Sequence, residues 1–286
     1  MLVDLKQIMS VADRNGFAVP AFNVSSGMLL RSVMEACEEK SSPVIIAIHP
    51  NELAFVTDYF MKMVIDEAYN TVLPVCIHLD HGANFEQVIH AIRCGFTSVM
   101  IDASTVSFED NIALTTKVVE AAHAVGVTVE AEIGTIGATG NGGEAGTDDI
   151  IYTDPDDAVM FVRRTGIDAL ALAIGTAHGL YPKGKKPALR LDILKTLRGR
   201  IAVPLVLHGG SDNPDDEIRE AIRLGVSKVN ISSDTKAAFY RKCREVLSDA
   251  TLREPLDIYP ACIEATKAVC YDKIELFGSS DKAKLY

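Results

Sequence analysis

Val75-Cys76-Ile77-His78-Leu79-Asp80-His81-Gly82 is a nearly continuous apolar run that stops at an acid, an imidazole and a glycine. A strand this apolar is covered on both faces, as in a parallel sheet. The carboxyl edge of such a sheet is where ligand-directed polar groups sit. Two later stretches end in the same way: Ala169 through Ile174 to His178-Gly179, and Pro204-Leu205-Val206-Leu207-His208-Gly209-Gly210. One histidine in such a turn would be read as structural. Three, each closing an apolar strand and each followed by glycine, predict that His81, His178 and His208 converge on one metal ion. Neutral imidazole suits Zn²⁺, and three protein ligands leave a fourth position open for chemistry.

Outward from these stretches the chain alternates strand and helix. Strands are predicted at 18–23, 43–49, 75–82, 98–104, 128–134, 169–178, 204–208 and 227–233, with amphipathic helical segments between them. Alternation of this kind implies right-handed βαβ units and a parallel sheet. Eight units close most simply into a (β/α)₈ TIM barrel, an α/β fold of about 250 residues, here one domain over 1–286. A helical tail is expected from about 235, broken at Pro255 and Pro260. The rival, an open doubly wound sheet, is disfavoured. No GxGxxG follows the first strand, and polar residues end nearly every strand.

The 286 residues are 48% hydrophobic and carry a formal net charge of −11. That charge argues against non-specific nucleic-acid binding, which needs basic patches. It also means that a phosphorylated ligand must be held by local groups. The six cysteines form no CxxC pair and read as reduced thiols. No run is long and apolar enough for a membrane span, and Met1-Leu2-Val3-Asp4-Leu5-Lys6 does not read as a signal peptide. A soluble cytoplasmic protein is expected.

Around the three imidazoles lie further candidates. Neighbouring strand residues face opposite sides, so His81 can bind metal while Asp80 addresses substrate as an acid/base. The plainer role for Asp80 is to orient a ligand histidine. Glu130 and Glu132 share one face of their strand, and Asp102 ends the one before. These carboxylates suit an accessory cation or proton handling. Gly209-Gly210-Ser211 and Asn230-Ile231-Ser232-Ser233 follow strands seven and eight, where barrels often bind phosphate through backbone N–H groups and a helix N-terminus. The Gly-rich loop after Glu132 has the length of a lid, and its Glu144 would reach the site on closure. His49 ends strand two at the mouth, and His78 lies inside strand three.

Taken together, these pieces resemble the class II, metal-dependent ketose-bisphosphate aldolases. The matching segments are Ala21-Phe22-Asn23, His78-Leu79-Asp80-His81, Met100 to Ser104, Val129 to Gly134, Ala173 to Gly179, Val206 to Gly209 and Val229-Asn230-Ile231. Gly175-Thr176-Ala177-His178-Gly179 looks most like the branch containing the tagatose-bisphosphate aldolases. The resemblance implies that His81, His178 and His208 bind zinc and that Asp80 exchanges a proton with the substrate C4 hydroxyl. It implies that Asp102 and Glu132 can hold a second cation, and that Glu144 moves the C3 proton. Gly179, Gly209 to Ser211 and Asn230 to Ser233 would hold the dihydroxyacetone phosphate half, with Asn23 counted among the substrate contacts and a monovalent cation (Na⁺ or K⁺) nearby. A homodimer or homotetramer is the expected assembly. Gly82 stands where the family often has a second histidine, Gly210 replaces an alanine, and His49-Pro50 replaces a small Gly-rich stretch. These departures touch the choice of sugar. A Schiff-base enzyme would need a buried strand lysine, and Lys228 is the only one in a predicted strand. The alternatives are a metal-dependent sugar-phosphate isomerase or epimerase, or a non-catalytic partner subunit.

Overall fold

The computed structural model describes residues 1–138, 150–179 and 188–286. Eight parallel strands close into a barrel: β1 (Val19–Asn23), β2 (Val44–Ile48), β3 (Val75–Gly82), β4 (Ser98–Ile101), β5 (Thr128–Ile133), β6 (Ala169–Leu172), β7 (Leu205–Leu207) and β8 (Val226–Ile231). β8 returns to β1 in the register Val19↔Lys228 through Phe22↔Ile231. The architecture is the (β/α)₈ barrel expected from the alternation.

Before the first strand, α1 (Leu5–Asn15) closes the amino-terminal end of the barrel. Asp4 and Gln7 form a reciprocal capping box, and Gly16 ends the helix in a left-handed conformation. The helix buries Leu5, Ile8, Met9 and Ala12, a helical-period stripe. These pack on inward strand residues Val19, Ala21, Ile45, Cys76, Ala169, Ala171 and Val206. Each large side chain fully buried there contributes about 1.5–3 kcal/mol.

Each strand is followed by an outer helix: α2 (Gly27–Glu39), α3 (Pro50–Asn70), α4 (Phe85–Arg93), α5 (Phe108–His123), α6 (Pro155–Thr165), α7 (Leu191–Leu197), α8 (Asp215–Arg223) and α9 (Ser233–Val246). Outward strand residues such as Ile77 and Leu79 join these helices in a second apolar shell. α10 (Pro255–Leu276) packs on α9 and α2. Among the described residues, no helix is long and apolar enough to cross a membrane.

Two expectations change. The sixth strand stops at Leu172. His178 belongs instead to a two-residue strand, Ala177–His178, paired with Gly137–Ala138 outside the barrel sheet. Gly175, at φ 117°, takes a backbone turn that strand geometry excludes. In the tail, Pro255 opens α10 at its first position, as proline prefers. Pro260, however, lies inside the helix. It removes one amide bond, to the carbonyl of exposed Leu256, and the helix runs on.

Candidate active site and metal centre

The carboxyl end of β3 is not a regular strand. β3 pairs with β4 at Leu79↔Val99 and next at Gly82↔Ile101, so β3 carries one extra residue. His81 sits in that bulge at φ 51°, a left-handed conformation uncommon outside glycine. Regular alternation would have sent Asp80 and His81 to opposite sides. The bulge turns both into the mouth, where Asp80 meets Asn23 and Asn230 and His81 meets Asp102 and His208. Gly82 makes this possible. A Cβ there would lie 2.6 Å from the carbonyl oxygen of Met100, so this backbone has no room for a side chain.

His81, His178 and His208 come together as expected. One ring nitrogen of each lies within 4.8 Å of the others, and all three are buried. The rings of His81 and His178 are edge-on at 4.9 Å between centroids. His81 Nδ1 donates to Asp102 Oδ2 at 2.8 Å, and His208 Nε2 donates to Glu130 Oε1 at 2.8 Å. With their outer nitrogens committed as donors, neutral rings present bare lone pairs to each other. Yet His81 Nε2 and His208 Nδ1 are only 2.8 Å apart. That approach is repulsive unless a cation, proton or metal, serves both. Burial disfavours a charged His81, but Asp80 and then Asp102 outweigh it and push its pKa up to about 10. A bound metal would take the place of that proton. His208 is pulled below its ordinary value by burial and by His81.

Glu132 gives a second sign that the mouth is built for a cation. It is buried, and neither carboxylate oxygen makes a hydrogen bond. His208 Nδ1 lies 3.5 Å from Oε2, beyond bonding geometry. Burial, then the charge of Asp102, push this acid well above the usual carboxylate range. His81, Asp102 and Glu132 also offer three ligand atoms within 4.8 Å of one another. The residues present therefore fit a divalent ion at the three imidazoles, with these carboxylates beside it.

Beneath the imidazoles lies an ion pair that sequence reasoning missed. Lys228 Nζ reaches Glu130 at 2.7 and 2.9 Å, both side chains fully buried. Lys228 also donates to His78 Nε2 at 3.3 Å, and His78 Nδ1 donates to Ser98 at 2.8 Å. His78 is 3.5 Å from Glu130, but burial and then Lys228 push its pKa down to about 3, so it is neutral and makes no ion pair. Against burial, Lys228 holds Glu130 below the carboxylate range, which keeps an anion under His208. Glu130 thus orients the His208 ring, and Lys228 is tied into that support.

Asp80 accepts from Asn23 Nδ2 and Asn230 Nδ2, both at 2.8 Å, one on each oxygen. Burial opposes its ionisation, but His81 and His208 hold it well below the ordinary range. Asn23, Asp80, His178, Gly179, Gly209, Ser211, Asn230, Ser232 and Ser233 line one cavity. Gly210 and Ile231 do not join them. The Gly210 amide donates to the Asn230 carbonyl at 3.0 Å, and a Cβ there would meet Val229 at 2.4 Å. Gly210 is a packing position. The Ile231 side chain is buried in the outer core, leaving only its backbone for a ligand. Glu144 lies outside the described residues. His49 caps α3, its Nδ1 accepting from Asn51 N at 3.1 Å, with its ring 6.4 Å from that of His81. Lys236, also missed, donates to Ser232 Oγ at 2.9 Å and pairs with Glu52. Its position one turn into α9 was its only signal.

A closed parallel barrel that gathers imidazoles and an ionised acid at its carboxyl mouth is the frame of a barrel enzyme. The family is fixed by comparison: residues 3–282 match the class II fructose-bisphosphate aldolase family, and the chain belongs to it. It is 40% identical over 288 residues to a fructose-bisphosphate aldolase of Staphylococcus aureus strain Mu50, covering 99% of each chain. It is 40% identical to that of Geobacillus stearothermophilus at the same coverage. The crystal structure of the YdjI aldolase from Escherichia coli K12 superposes with a TM-score of 0.84 at 35% identity, over 99% of this chain and all of that one. The protein is thus an aldolase, a carbon–carbon lyase.

Proposed function

We propose that this aldolase reversibly cleaves a phosphorylated ketose, a ketose 1,6-bisphosphate or a related ketose 1-phosphate, to dihydroxyacetone phosphate and an aldehyde. Zinc would be held by His81, His178 and His208. The observation that carries this reading is the 2.8 Å contact between His81 Nε2 and His208 Nδ1, with both outer nitrogens locked onto carboxylates.

When bound, the divalent ion supplies Lewis-acid stabilisation of the charge that cleavage leaves on the ketose oxygens. The chain supplies the rest. Asp80 is ionised, lines the cavity and keeps free lone pairs on both oxygens, so it can accept the C4 hydroxyl proton as the C3–C4 bond breaks. Asn23 and Asn230 hold it from either side and fix its direction. Asp102 and Glu130 set the rotation of two ligand rings, as carboxylates do behind metal-bound histidines. Ser232 and Ser233 at the start of α9, with Gly179, Gly209 and Ser211, suit the phosphate end of the substrate. Lys236 places a cation beside Ser232. Lys228 is held by Glu130 below the mouth, which suits support and not Schiff-base chemistry. Return of the C3 proton is assigned to a loop carboxylate, Glu144.

The test is a metal-supplemented assay over a panel of phosphorylated ketoses, acid sugars included, coupled to detection of dihydroxyacetone phosphate. His208→Ala is expected to lose both zinc and cleavage. Asp80→Ala should retain zinc and lose about 10²–10⁴-fold in turnover. Full activity in the metal-free protein would overturn the zinc assignment. Turnover of a sugar phosphate with no triose phosphate released would favour an isomerase or epimerase.

A further inference from the structure

On the outer surface of the barrel, a second group of metal-binding side chains converges where α3 meets α4. His90 and Cys94 are four residues apart and so share one face of α4, with Cys94 as its C-cap. Asp58 comes across from α3. His90 Nε2 lies 3.0 Å from Asp58 Oδ1. One donor atom from each of the three lies within 4.8 Å of the others. Ligands at that spacing can be drawn onto one zinc ion at about 2.0–2.3 Å.

Three surrounding features suit a ligand site here, with Lys62 and Arg93 as the nearby cations a metal would have to outcompete. Thr57, immediately before Asp58, breaks α3 at φ 63°, ψ 167°. A β-branched residue held there stores about 1–3 kcal/mol of strain, a mark of functional positions. The carboxyl end of a helix carries partial negative charge, and His90 and Cys94 occupy that end of α4. A hollow of about 560 Å³, bordered by Thr57, Asp58, Tyr59, Lys62 and His90, opens beside the group and leaves room for a water ligand.

We propose that Asp58, His90 and Cys94 form a surface site for a borderline-soft divalent cation of the zinc type, clamping α3 to α4 and separate from the site at the barrel mouth. A mixed thiolate, imidazole and carboxylate set selects such ions over magnesium or calcium. An ordinary cysteine thiol carries its proton at neutral pH. On binding, the S–H bond breaks, the sulfur electron pair goes to the metal, and the proton leaves to water.

Titration of the metal-stripped, full-length protein with Co²⁺ tests this. Thiolate ligation gives a sulfur-to-cobalt charge-transfer band in the near ultraviolet, which the three imidazoles of the mouth cannot give. The unaltered protein should take up two equivalents and show the band. Cys94→Ser and His90→Ala should each lose the band and one equivalent while keeping cleavage activity. His208→Ala should keep the band. Absence of the band at any stoichiometry, or a band that survives Cys94→Ser, overturns the proposal.

Discussion

The two halves of the barrel interior are filled with opposite chemistry by the same strands. At the amino-terminal end, Val19, Ala21, Ile45, Cys76, Ala169, Ala171 and Val206 meet the apolar stripe of α1. One or two inward positions further along, the occupants are Asn23, His78, Asp80, Glu130, Glu132, His208, Lys228 and Asn230, all buried. The lower half has only to match shapes at close packing. The upper half has to satisfy each polar atom, because an unpaired buried group is penalised in low dielectric. It does so through Lys228, Glu130, His78 and Ser98. Among these residues Glu132 lacks a partner on both carboxylate oxygens and Asn230 on its Oδ1, and Glu132 sits beside the imidazoles. Where the interior leaves an acid without a partner, it has kept a place for a ligand.

The contrast can be broken most severely at Lys228. Lys228→Met strands the buried Glu130 charge and should destabilise the protein by about 3–5 kcal/mol in urea unfolding. The double variant Lys228→Met/Glu130→Gln should recover much of that loss. If the double is as unstable as the single, the pair is not the source. In the apolar half, Ile8→Ala should lower stability by about 2–5 kcal/mol while turnover per folded molecule stays unchanged. A parallel fall in turnover would show that the halves are coupled. Asp102→Ala removes the bond to His81 and should weaken zinc about 10–100-fold, roughly 1.4–2.8 kcal/mol, in competition with a chelating dye.

The smallest effect is in pH. The folded pKa of His78, about 3, lies below the ordinary 6.5, so the unfolded chain takes up this proton first. Its contribution is complete above pH 6.5 and declines as pH falls towards 3, by about 2 kcal/mol at pH 5. His78→Gln should therefore lose less stability between pH 7 and pH 5 than the unaltered protein. Equal losses would reject the assignment.

The barrel and the imidazole trio were legible because both are written in local pattern: apolar runs, each closing on His-Gly. What escaped depends on register around a closed sheet. Lys228 and Glu130 are 98 residues apart, and no spacing announces that β8 and β5 face each other across the interior. The inward turn of both Asp80 and His81 comes from one extra residue in β3, which period-two alternation cannot anticipate. Gly209 and Gly210 look alike in sequence. They differ in where the Gly210 amide goes, and that is settled by β8. His178 reads in sequence as the end of one long strand because Ala169 to Ile174 is unbroken in hydrophobicity, although the chain turns at Gly175.

Lys228 also bears on how the molecule comes into being. It lies on the last strand, so a chain growing from its amino terminus holds Glu130 before its counter-charge has been synthesised. Until then the centre has to stay wet. A chain truncated before Val226 should accordingly remain sensitive to protease, and resistance in such a fragment would refute this order of events. On this account the buried lysine acts as a completion signal, letting only a finished chain expel water from its own middle.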